Sequence, residues 1–332
     1  MKQHLQYPEL VTRLRERGLS VRSDVDAVST LKRVGYYRLS GYLYPFREQL
    51  ENGRGDRYVP GASFDDGVAL YDFDERLRSI LGEGLSIVEV ALGARLAHVL
   101  GSLDPEAHLM REHLDAAACS KPTVHQGREM DGHDAFVARY EHLRGEAKEE
   151  AYVKHHILNH DGHIPLWAAV QFFDFGCLLR LYNLARKKEQ RKVADVFGLA
   201  DDRVGQLAKL LRPLNVLRND CAHNNRVWNR STIYPPSRIP DRMVTTEILH
   251  LNSLDEPERH RLYPLAALVA YFILKLHRDS GWIERFRDCV VAFGQVGGMT
   301  PETSMGFPTS WNAMPLWNPT GSANLSDGTG AS

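Results

Sequence analysis

The chain has 332 residues, 43% of them hydrophobic, with 41 lysines and arginines against 42 aspartates and glutamates. That length can bury a core that folds without staples, and a net charge near zero neither predicts nor excludes a nucleic-acid partner, which would need a local basic surface. Four scattered cysteines (Cys119, Cys177, Cys221, Cys289) lack any metal-ligand spacing, and this argues against a disulfide framework and for a reducing, cytoplasmic setting.

The first twenty residues are too charged for the apolar run of a signal peptide. Leu10, Val11 and Leu14, then Val25, Val28 and Leu31, recur at helical spacing and lead into the aromatic stretch Gly35 to Phe46. Glycines and a proline among charges make Glu51 to Gly61 a loop, closing an N-terminal helical region over 1–60. From Ser63 or Asp65, either of which can cap, to about Leu100, the spacing predicts one long amphipathic helix. Gly82, Gly84 and Gly93 each cost about 1 kcal/mol relative to alanine there, so a kink or a close helix contact is expected.

Residues 101–163 form a polar, histidine-rich insertion with a helix around Asp134 to Glu149. Apolar periodicity returns over Leu166 to Ala185, and again in a helix capped by Asp201 or Asp202 that carries Val204, Leu207, Leu210, Leu211, Leu214, Leu217 and Cys221. Pro213 inside that run either kinks the helix or starts a new one. Asn224 to Pro240 is loop-like, Leu262 to Leu276 is an apolar helix, and Trp282 to Phe293 is a further helix. The uncharged stretch Leu262 to Leu274 falls short of the roughly 20 residues a membrane span needs, so it is read as core and no membrane role follows. A main helical domain over 61–294 is then followed by a Gly/Pro-rich tail over 295–332. No strand alternation stands out, and the fold class is all-α.

Chemistry concentrates in Leu214 to Trp228, where Arg218, Asn219, Asp220 and His223 follow an apolar helix face. A histidine exchanges protons near neutral pH and an arginine holds phosphate oxygens in a fork of donors, which together can cleave RNA without a metal. A five-residue step on an ideal helix separates Arg218 from His223 by about 140°, whereas Asn219 and His223 differ by about 40°. Either the long arginine reaches back, or a second copy of the helix completes the site across a two-fold axis, which predicts a homodimer. The spacing alone is weak evidence, because Arg128 and His133 repeat it in a glycine-containing stretch with no apolar helix face.

The segment resembles the Arg-Asn-x-x-x-His signature of HEPN domains, and its setting resembles the Abi-like abortive-infection family. Four blocks carry the likeness: Val34 to Tyr42, Pro165-Leu166-Trp167 through Leu181-Tyr182, the motif with Trp228 after it, and Met305 to Pro308 through Pro315-Leu316-Trp317. The resemblance implies a HEPN-like helical bundle with additional N-terminal helices. It further implies phage defence by RNA degradation or growth arrest, with Arg218 and His223 as the functional pair. Some relatives are linked to a structured small RNA, and no cofactor is implied.

On this reading Arg218 stabilises the transition state, His223 is the general acid and base, and Asn219 orients His223 or the phosphate. Arg38, Arg226, Trp228, Arg186 and Lys187 are the candidate RNA contacts, the last two from the basic cluster Arg186 to Lys192, whose plainer reading is a solvated helix end. Tyr36, Tyr37, Tyr42 and Tyr44 suit base stacking as well as core packing. His156, His160 and His163, with His155 beside them, have ligand-like spacing, but Asp161-Gly162 breaks a helix there and no metal site is assigned. Two rival readings are a non-catalytic RNA-binding module and a toxin–antitoxin component.

Overall fold

Three short helices open the chain in the computed structural model, which describes residues 4–125, 127–199, 202, 205–240 and 246–319. These are α1 (Tyr7–Glu16), α2 (Asp24–Val34) and α3 (Tyr36–Leu43). Ser23 caps α2 by accepting the Asp26 N–H at 3.3 Å, and Gly35, at φ +85°, supplies the one-residue joint into α3 that a side chain would strain. Leu14, Leu31 and Leu39 are fully buried where these helices meet.

The expected loop after them is instead an antiparallel hairpin, β1 (Arg47–Leu50) and β2 (Gly53–Tyr58). Its strands are short, mostly solvent-facing and glycine-bearing, so no apolar alternation marks them in the sequence.

The long helix α4 (Phe64–Gly101) is continuous and organises everything that follows. Ser63 accepts the Asp66 N–H at 3.0 Å, which makes it the cap rather than Asp65. The glycines mark close approach: a Cβ on Gly84 would stand 2.7 Å from both Trp282 and Val269, and one on Gly93 would touch Leu178 at 3.5 Å.

The histidine-rich insertion contains α5 (Ala116–Cys119), a second hairpin of β3 (Pro122–His125) and β4 (Arg128–Asp131), then α6 (Gly132–Glu146) and α7 (Ala151–Asn159). The run from Leu166 to Ala185 is split into α8 (Leu166–Ala169), a 3-10 turn, and α9 (Phe175–Leu184). The break falls at Asp174, whose carboxylate caps the new helix by accepting the Cys177 N–H at 2.6 Å.

Next come α10 (Lys187–Val196) and α11 (Gln206–Ala222), then α12 (Glu256–Arg259) and α13 (Leu262–Leu276). α13 is buried on all sides from Leu262 to Ile273 and packs along α4, as expected of a core helix. Among the described residues no helix is long and apolar enough to cross a membrane. α14 (Trp282–Val291) locks onto α4 through the Trp282 indole N–H, which donates to the Ile80 carbonyl at 2.6 Å.

The Gly/Pro-rich composition after 295 hides a packed segment. α15 (Pro301–Met305) is followed by Phe307, Trp311, Leu316 and Trp317, all buried, with Phe307 and Trp317 against Phe286 and Tyr263 and Trp311 against the Phe307 and Trp317 rings. The described chain is therefore mostly helical around α4 and α13, with two small hairpins at its surface.

Candidate active site

α11 buries Leu207, Leu210, Leu211, Leu214 and Leu217 against α4, α9 and α13. Its start is held by Asp202, whose two carboxylate oxygens accept the Gln206 and Leu207 N–H groups at 2.7 and 2.9 Å. The alternative cap Asp201 and the residue Val204 lie outside the described residues. Pro213 sits inside the helix without ending it.

The helix stops at Ala222 and His223 is its C-cap, donating its backbone N–H to the Asn219 carbonyl at 2.9 Å. Asn224 then adopts φ +55°, a left-handed turn that asparagine tolerates, and the Asn225 N–H returns to the Asp220 carbonyl at 2.8 Å. The turn exposes His223, and its ring has no hydrogen bond or ion pair among the described residues. Asn219 is exposed one turn earlier.

Arg218 faces α4. Its Nε lies 3.0 Å from Glu89 Oε2 and its Nη2 3.4 Å from Oε1, a two-pronged pair with Arg218 35% and Glu89 15% exposed. The guanidinium is thus held at the edge of solvent by a carboxylate 129 positions earlier in the chain, and no hydrogen bond joins it to His223. Within one chain the arginine and the histidine are neighbours on one helix end without forming a closed pair.

A buried network fixes the segment beyond the motif. Asp74 on α4 is wholly buried; its Oδ1 accepts the Val227 and Trp228 N–H groups at 3.1 and 2.9 Å, and its Oδ2 takes the Tyr42 hydroxyl at 2.7 Å and the Arg78 guanidinium. Burial pushes the Asp74 carboxyl above the usual carboxylate range, against the opposing pull of these donors. Asp220 completes the frame by accepting Asn225 Nδ2 at 2.9 Å and Arg230 Nη1 at 2.6 Å. Sequence reasoning missed Glu89 and Asp74, since both read as polar positions of an amphipathic helix.

The candidate RNA contacts divide. Arg38 is exposed and donates to the Asn224 carbonyl at 2.7 Å, and Arg226 is half-buried and donates to the Gly41 carbonyl, so both tie α3 to the motif turn. Trp228 is fully buried, its ring 6.1 Å from that of Phe293, and as a core residue it cannot stack on a base, which corrects its assignment. Arg186 is spent on the Leu114 and Glu112 carbonyls, pinning the 111–114 segment, while Lys187 is exposed and reaches Gln190 Oε1 at 3.0 Å. Cys221 is no nucleophile at neutral pH, because burial pushes its thiol up to about 12.

The histidine trio does not assemble. α7 ends at Asn159, Asp161 and Gly162 take positive φ, and His163 turns to Glu106 at 2.8 Å while His155 and His160 face each other at 3.3 Å. Among the described residues no group of three or more His, Cys, Asp or Glu side chains is placed to hold a metal ion.

Comparison with curated proteins and with solved structures gave no match. The family model described as Abi-like protein matches residues 29–229, a span running from α2 through α4 and the whole motif to the residue after Trp228. The chain therefore belongs to the Abi-like protein family.

Proposed function

We propose that the protein is an abortive-infection ribonuclease of HEPN type that cleaves RNA without a metal at Arg218, Asn219 and His223, working in the cytoplasm as a homodimer. Membership of the Abi-like family supports the defence role. The observation that carries the catalytic reading is the turn at Asn224, which leaves the His223 ring exposed and, among the described residues, unpaired, on the same helix end as an arginine already fixed by Glu89.

In the proposed reaction the 2′-oxygen of a ribose bonds to the adjacent phosphorus and the P–O5′ bond breaks. The proton leaves the 2′-hydroxyl and is returned to the 5′-oxygen, giving a 2′,3′-cyclic phosphate and a 5′-hydroxyl. His223 moves that proton, Arg218 balances the charge that develops on the phosphoryl oxygens, and Asn219 orients the ring or the phosphate. A single chain offers one such histidine and one such arginine without a direct bond between them, so a second copy of α11 would supply the complementary base or acid.

Incubation of wild type and His223→Ala with total RNA in EDTA, with the new ends mapped, tests the reading. Cleavage by wild type alone, leaving cyclic phosphate ends, is expected. RNA left intact by an enzyme that nonetheless retains RNA would favour the binding-module reading instead.

A further inference from the structure

The N-terminal helices and the first hairpin enclose a recess of about 900 Å³ beside the motif turn. Its charged lining is four arginines, Arg13, Arg17, Arg47 and Arg226, against one carboxylate, Asp56. Asp56 is 75% exposed and is shared by Arg17 and Arg47 at 3.4 and 3.7 Å, so it neutralises at most one of them. Arg13 has no ion-pair partner among the described residues, and the Arg47 Nε is buried without a hydrogen-bond partner.

Four tyrosines, Tyr7, Tyr36, Tyr37 and Tyr44, line the same recess. Tyr37 is 91% exposed, which core packing does not explain, and the Tyr44 ring is approached by two guanidinium carbons, Arg47 at 5.7 Å and Arg54 at 6.0 Å. Arg226 connects this recess to the motif: it stands three residues past His223, at most about 10 Å of extended chain.

From this geometry we infer that the recess is a docking site for an unpaired RNA strand, with arginines on successive phosphates and tyrosines under unstacked bases, feeding the strand past Arg226 toward His223. The choice of RNA rests on the ribonuclease reading; the recess itself does not. A base-paired duplex hides the base faces that the tyrosines would take, and an acidic peptide would leave them unused.

The test is a fluorescence-anisotropy titration of the full chain with a short labelled 2′-O-methyl RNA of mixed sequence, which lacks the attacking hydroxyl, across a salt series. Arg13→Glu is expected to weaken binding at least about tenfold and to flatten the salt dependence by a slope of about 1 or more. Tyr37→Ala is expected to weaken it about tenfold with the salt slope unchanged. Both side chains are solvent-accessible and make no hydrogen bond among the described residues, so neither change threatens the fold. Wild-type affinity in both variants, or equal competition by the annealed duplex or by polyglutamate, overturns the inference. The two readings fail separately: an enzyme that cleaves RNA while Arg13→Glu and Tyr37→Ala bind normally sinks only the recess, whereas lost binding in those variants of a chain that never cleaves sinks only the nuclease.

Discussion

An arginine followed five residues later by a histidine occurs at Arg218/His223 and at Arg128/His133, and the two copies have opposite surroundings. His223 lies past the last turn of α11, exposed, with no partner for its ring among the described residues. His133 lies in the first turn of α6, 6% exposed, with Nε2 held 3.1 Å from the Leu109 carbonyl, while Arg128 sits on the exposed strand β4. His133 has spent one ring nitrogen on that carbonyl, and its other, Nδ1, is buried away from any substrate. The difference teaches that the spacing does not fix the surroundings of its histidine; the helix end and the Glu89 carboxylate distinguish the first copy, on which the proposed site rests.

The largest expected effect comes from removing what only the first copy has, its buried anchor. Asp74→Ala strands the Arg78 charge and the Val227 and Trp228 N–H groups, and should destabilise the fold by about 3–5 kcal/mol in urea denaturation. A loss under about 1 kcal/mol would show that the network does not hold the motif turn.

Around the second copy the histidines are structural, and acid should reveal it. His108 is buried among Phe136, Tyr140 and Phe173, with both ring nitrogens unpartnered among the described residues, and burial lowers its pKa to about 4. The unfolded chain takes up that proton near pH 6.5 and the folded one only near 4. The unfolded state therefore holds more protons between those values, and stability falls as pH drops through them, by on the order of 3 kcal/mol in full. His108→Phe should flatten this acid limb; an unchanged pH profile would argue against a neutral buried imidazole.

His133→Ala should cost about 1–3 kcal/mol of stability, through lost packing and an unpaired Leu109 carbonyl, while leaving RNA cleavage untouched. Loss of cleavage at constant stability would reverse the assignment of the two copies. The smallest effect is expected from Glu89→Gln. The Arg218 pair is only partly buried, so stability should change by less than about 1 kcal/mol. Cleavage should fall roughly tenfold because the guanidinium is no longer aimed. Activity equal to wild type would leave Glu89 a surface pair.

Long elements were legible because one physical rule dominates each. The three-and-four spacing after Ser63 and the apolar run at 262–276 gave α4 and α13, and the resemblance to the Abi-like family was carried by blocks most of which lie within 29–229. Short elements were hidden: the solvent-facing strands at 47–58 have no apolar alternation, and the α8–α9 break depends on the single capping side chain of Asp174. Arg218, Asn219 and His223 were singled out from local chemistry alone and stand as the proposed site. Glu89 was not, since its partner lies 129 residues away and one acidic residue on an amphipathic helix looks like solvent-facing charge. Trp228 was misassigned for the converse reason, because its burial against Phe293 depends on packing that no local window contains.

The most direct test compares four purified variants, Arg218→Ala, His223→Ala, Arg128→Ala and His133→Ala, in one RNA cleavage assay with EDTA present, after each has been shown to fold. Cleavage abolished by the first two and retained by the last two is the predicted result; cleavage retained by His223→Ala would contradict the assignment of the active site to the end of α11.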